Sequence, residues 1–234
     1  MLKKNTLVVG PMFGGVQHVA ALVGRIHGAV PTPIRKPQLT EGASGGARRE
    51  PGLFYGVLKS NFAEFTSDYD VILVRREPRD LLISMAEGLV RSKTQTLDAV
   101  AQALKPMATE QRLLAVLAGV DTRFKAFERH LDGWYEWLLE GATPVAYEGL
   151  FEKEGRAEVA RMLRVSPAQV ERAAAEILPD IERDWWNVPG AWKDKFTLNV
   201  SAAYDSMAFK AEGQISVIPP VRLHKGKMQM VRAY

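Results

Sequence analysis

Three observations on the sequence predict a three-layer α/β/α fold built around a central parallel sheet. Apolar runs of strand length alternate with helix-period segments along most of the chain, and strands separated by helices pair in parallel, because each crossover returns the chain to the same end of the sheet. The first apolar run passes through a glycine-containing turn directly into a helical pattern. The segment 70–75 is rich in β-branched residues and stops where a proline can open a helix, the profile of a central strand feeding a crossover.

The composition bounds the function classes. With 234 residues, 47% apolar and 25% charged, the chain reads as one globular domain over residues 1–234, neither disordered nor membrane-embedded. The start, MLKKNTLVVG, carries an apolar run too short for a signal-peptide core or a bilayer span. The absence of cysteine excludes disulfides, thiolate metal sites and cysteine nucleophiles, which fits a reducing interior and makes the cytoplasm the expected compartment. The net charge of +4 comes from scattered Lys and Arg with no long basic run. That balance suits a small phosphorylated ligand better than nucleic acid.

In chain order, Thr6 to Gly10 reads as a buried strand, Pro11 to Gly15 as a tight loop and Val16 to Ile26 as a helix. Residues 29–51, rich in proline and glycine and without periodicity, read as a long loop. Leu53 to Leu58 and Asp70 to Arg75 are the next strands, and Pro78 opens a helix to about Val90. From Leu97 to Leu139 the pattern is helical, broken near Pro106 and Gly119, with Phe124, Phe127, Trp134 and Trp137 on an apolar face. A short strand, Pro144 to Tyr147, precedes helices at about Arg156 to Leu163 and Pro167 to Ile177, the second capped by Ser166. A tryptophan-rich stretch from Asp184 leads to a basic tail at about 211–234.

The most informative segment is VILVRREPRDLLIS, residues 71–84. An arginine at the carboxyl end of a parallel strand, followed by a serine two turns into the next helix, lies at the crevice where α/β sheets bind ligands. Arg76 can grip a phosphate bidentately and Ser84 can add a hydroxyl bond. The pattern Arg76, Pro78, Arg79, Asp80, Ser84 resembles the 3′-phosphate segment of the sulfotransferase family. Tyr147, Glu148, Gly149 and Leu150 resemble that family's Tyr-Glu-Asp-Leu element, with Gly149 in the aspartate's place. Gly190, Ala191, Trp192, Lys193, Asp194, Lys195, Phe196 and Thr197 resemble its Gly-Asp-Trp-Lys-x-x-Phe-Thr loop. The three matches run in the family's order over residues 5 to 210.

The resemblance implies a P-loop-like fold that takes 3′-phosphoadenosine 5′-phosphosulfate and yields adenosine 3′,5′-bisphosphate. It implies sulfonate transfer, without a metal, to a hydroxyl or amine on a small molecule or glycan. Arg76 and Ser84 would hold the 3′-phosphate, Tyr147 would lie beside the adenine, and Gly190, Ala191, Trp192 and Lys193 would close on the nucleotide. Gly14, Gly15, Val16 and Gln17 would cradle its 5′ end.

The departures from the family bear on catalysis. The family's loop Pro-Lys-Ser-Gly-Thr-Thr-Trp is replaced by GPMFGGVQHV. Matching Gly15 to the family glycine puts Phe13 at the lysine position, and matching Gly14 puts Met12 there. Asn61 stands where a general-base histidine is usual, and Trp185, Trp186 and Asn187 stand where an Arg-Lys-Gly string is usual. Lys59 and His18 are the candidate catalytic groups; His18 faces the site as a substitute base or packs there. Two readings stay open beside transfer: a sulfotransferase fold that only binds, and another P-loop transferase of the kinase kind. The latter lacks the Gly-Lys-Ser/Thr string that would hold phosphate and magnesium.

Overall fold

The computed structural model describes residues 2–34, 51–57, 69–92, 97–120, 124–131, 141–215, 222–224 and 227–229. Five strands form one parallel sheet: β1 (Asn5–Val9), β2 (Pro31–Pro33), β3 (Leu53–Gly56), β4 (Tyr69–Arg75) and β5 (Thr143–Ala146), in the order β2-β3-β1-β4-β5. The register pairs Val8 with Tyr55 on one side and with Ile72 on the other, and Val74 with Val145.

The period-two alternation of the strands builds both faces. Val8, Ile72, Val74 and Val145 point to one side. There they meet α1 (Val16–His27), α6 (Lys153–Leu163) and α7 (Pro167–Glu182), the last entered through a Ser166–Gln169 capping box. Leu7, Val9, Val71 and Leu73 point to the other side with Phe54, Tyr69 and Ala142. A second apolar cluster gathers α2 (Pro78–Arg91), α3 (Asp98–Leu104), α4 (Thr109–Ala118) and α5 (Phe127–Leu131) around Leu82, Met85, Leu113 and Val116. It also takes in Trp186 and Val200, the latter from α8 (Leu198–Ile215).

Most expected elements are present, with three differences. The long loop expected at 29–51 contains an edge strand, β2, whose two prolines read as turn signals in sequence. At a sheet edge a missing N–H costs no ladder bond, and the chain is held instead by the Ile34 N–H donating to the Tyr55 carbonyl at 2.9 Å; residues 35–50 lie outside the described residues. Helix α7 continues past the expected end at Ile177 through Pro179. The proline forfeits one helical hydrogen bond, while Ile181 beyond it is buried in the core and holds the last turn. The basic tail holds the end of α8 and an antiparallel pair, β6 (Arg222–His224) and β7 (Lys227–Gln229). Lys59, Asn61, Trp134 and Trp137 lie outside the described residues.

Candidate nucleotide site

The site forms where β1 and β4 end and α1 and α2 begin. Between β1 and α1 the chain turns through two left-handed residues, Phe13 at φ 62° and Gly15 at φ 86°. A left-handed phenylalanine is strained, and two contacts hold it. Its ring occupies the space above Gly88, where a Cβ would lie 2.4 Å from the ring, and its carbonyl accepts from Arg76 Nη1 at 3.1 Å. Gly15 has a second reason to lack a side chain, since a Cβ there would meet the Tyr147 ring at 2.2 Å. Helix α1 then starts with no side-chain cap and no acid in its first turn, leaving its first N–H groups and its positive dipole end to the loop.

Arg76 is the centre of the arrangement. It is only 8% exposed, it forms no ion pair among the described residues, and its Nε has no hydrogen-bond partner. Nη2 donates to the Trp186 carbonyl at 2.9 Å, and Ser84 Oγ donates to the same oxygen at 2.5 Å. The guanidinium lies 4.5 Å from the centre of the Tyr147 ring. Burial pushes the Arg76 pKa down, against the opposing pull of Tyr147 and of the Asp80, Glu148 and Glu77 carboxylates.

Helix α2 sets these groups in register. Glu77 caps it by accepting from the Asp80 N–H at 2.9 Å, while its own N–H donates to Glu148 at 2.7 Å. Burial raises the Glu77 pKa. Arg76, Asp80 and Ser84 then recur every four residues and face one segment, 186–192. Asp80, 2% exposed, accepts from the Gly190 N–H at 2.7 Å and from the Trp192 N–H at 3.2 Å. The Ala191 N–H donates to the Val188 carbonyl and the Lys193 N–H to the Gly190 carbonyl. All four N–H groups of 190–193 are thus used within the protein, and the loop has the Trp192 and Lys193 side chains left to offer a ligand. Arg79 stacks 4.6 Å from the Trp192 ring.

His18 lies in the first turn of α1, its Nδ1 3.2 Å from the Tyr147 hydroxyl. Burial, reinforced by the Arg76 charge and opposed by Asp184, lowers its pKa to about 4, so the imidazole is neutral near pH 7. Burial pushes the Tyr147 phenol well up. Tyr147 is wholly buried, packed under Gly15 and edge-on to Phe151.

Among solved structures the chain is similar to mouse sulfotransferase SULT7A1 complexed with PAP, at TM-score 0.61 and 13% identity over 93% of this chain and 86% of that one. The chain has the sulfotransferase fold. Retinol dehydratase in complex with androsterone and inactive cofactor PAP shares that fold, at TM-score 0.56 and 11% identity over 89% of this chain and 80% of the other. No family model and no curated protein sequence matches the chain. Among the described residues no helix is long and apolar enough to cross a membrane, and no three His, Cys, Asp or Glu side chains cluster as metal ligands.

The sulfotransferase-fold core therefore gathers Gly14, Gly15, Val16, His18, Arg76, Ser84 and Tyr147 at one end of the sheet, with Gly190 to Lys193 tied there through Asp80. Gln17 is exposed on the first turn of α1. Sequence reasoning assigned Asp80 no task, although its spacing from Arg76 and Ser84 was a usable signal. The Trp186 carbonyl was missed altogether, because a backbone acceptor leaves no trace in residue identity.

Proposed function

We propose that the chain is a sulfotransferase that binds 3′-phosphoadenosine 5′-phosphosulfate and moves its sulfonate group to a hydroxyl or amine on a small molecule or glycan. The observation that carries this reading is Arg76: a buried guanidinium without an ion-pair partner among the described residues and with Nε unmet. A buried charge without a partner costs several kcal/mol, so the site fits an anion. Arg76 and Ser84 would bind the 3′-phosphate by exchanging the Trp186 carbonyl for phosphate oxygens. The N–H groups of Gly15, Val16 and Gln17, at the uncapped start of α1, would receive the 5′ end.

Transfer forms a bond from the acceptor oxygen or nitrogen to sulfur and breaks the bond from sulfur to the 5′-phosphate oxygen. The acceptor loses a proton, and adenosine 3′,5′-bisphosphate leaves. His18, neutral near pH 7, and Lys59 are the groups assigned to proton and charge movement. Phe13 supplies no cation where the resembled loop has lysine, so the leaving-group charge falls to the backbone N–H groups of the loop alone.

The same Phe13 favours a second reading, in which the protein binds the nucleotide without transferring from it. Incubation with the sulfonated donor and a panel of phenols, alcohols and amines separates the two. Acceptor-dependent release of adenosine 3′,5′-bisphosphate, abolished in Arg76→Ala, supports transfer. Tight binding with no release at any acceptor leaves the binding protein.

A further inference from the structure

We infer that Asp80 is a positioning residue that holds Trp192 and Lys193 over the anion seat formed by Arg76 and Ser84. The inference rests on the nucleotide reading above and adds a residue to it. Arg76, just before α2, and Asp80 and Ser84 on the first two turns of that helix are joined to segment 186–192 by four hydrogen bonds of two kinds. Arg76 and Ser84 donate to the Trp186 carbonyl, and Asp80 accepts from Gly190 and Trp192. An anion on Arg76 and Ser84 competes only for the first kind. When it takes the carbonyl's place, Asp80 keeps the far end of the segment in register with the donors four residues to either side. Gly190, in the left-handed region at φ 82°, turns the chain so that the Lys193 side chain folds back above it.

A carboxylate 2% exposed is an expensive way to hold two peptide N–H groups, and it has no ion-pair partner among the described residues. Its charge also acts on Arg76, which makes the test one of sign. If Asp80 were only a nearby negative charge, neutralising it would tighten anion binding, because a like charge would have been removed from the seat. If it positions the loop, Asp80→Asn loosens binding, because the amide replaces one of the two acceptor oxygens with a donor facing an N–H.

The experiment is calorimetric titration of adenosine 3′,5′-bisphosphate into wild type, Asp80→Asn, Lys193→Ala and the double variant. Thermal unfolding of each is measured alongside to confirm that the folded protein is being titrated. The expected result is about a tenfold loss of affinity in Asp80→Asn, with a smaller loss for the same change in the Lys193→Ala background, since Asp80 acts through that side chain. Unchanged or tighter binding in Asp80→Asn, or fully additive losses, overturns the inference while leaving the nucleotide reading in place. Failure of wild type to bind overturns both.

Discussion

Replacing Arg76 with methionine separates what the fold needs from what a ligand needs. In the free protein the guanidinium contributes two hydrogen bonds, to Phe13 and Trp186, and a stacking contact on Tyr147. Hydrogen bonds from a charged donor are worth about 1.5–3 kcal/mol each and a desolvated cation–π contact about 2 kcal/mol. Against them stands the desolvation of a cation buried without an anion, which costs several kcal/mol. The opposing contributions nearly cancel, and methionine fills most of the same volume. Trp186 keeps its bond from Ser84, so only the Phe13 carbonyl loses its donor. Urea unfolding of Arg76→Met should therefore shift stability by no more than about 1–2 kcal/mol in either direction. Affinity for adenosine 3′,5′-bisphosphate should fall by about 1.5–3 kcal/mol, roughly 10- to 150-fold. A variant destabilised by about 4 kcal/mol or more that still binds the nucleotide at wild-type strength would show Arg76 to be a structural strut and not an anion seat.

Two further outcomes follow from the same region. Gly15→Ala puts a Cβ into the Tyr147 ring and a side chain at φ 86°, and should cost roughly 2–4 kcal/mol in urea unfolding; a loss below about 0.5 kcal/mol would show that the loop is not pinned by the ring. His18 is held at a pKa of about 4 against 6.5 when unfolded. The unfolded chain takes up a proton in that window which the fold refuses, so stability should decline as pH falls from 6.5 towards 4 and stay level above it. The full effect is on the order of 3 kcal/mol. His18→Asn should flatten the acid limb by that amount, and an unchanged limb would place the proton uptake elsewhere.

Much of this was legible in the sequence because the signals were local. The β1–loop–α1 passage, the β-branched β4 and the Pro78 start of α2 each follow from patterns within a dozen residues, and they alone bring Arg76, Ser84 and the loop to one end of the sheet. Strand β2 was hidden because Pro31 and Pro33 signal turns wherever they fall, and only its edge position makes them compatible with pairing. The roles of Asp80 and the Trp186 carbonyl were hidden for another reason. Each is a contact between positions more than a hundred residues apart, and one of the partners in each is backbone. Phe13 was visible as a departure from the resembled loop, whereas its left-handed backbone and its seat on Gly88 required the fold.

The central claim is that Arg76 and Ser84 form a seat for a nucleotide's 3′-phosphate. Calorimetric titration of wild type with adenosine 3′,5′-bisphosphate and, in parallel, with adenosine 5′-monophosphate tests it most directly, because the two ligands differ only in that group. The bisphosphate should bind more tightly by at least about tenfold, the worth of one charge-assisted hydrogen bond. Equal affinity for the two ligands, or binding of neither, would contradict it.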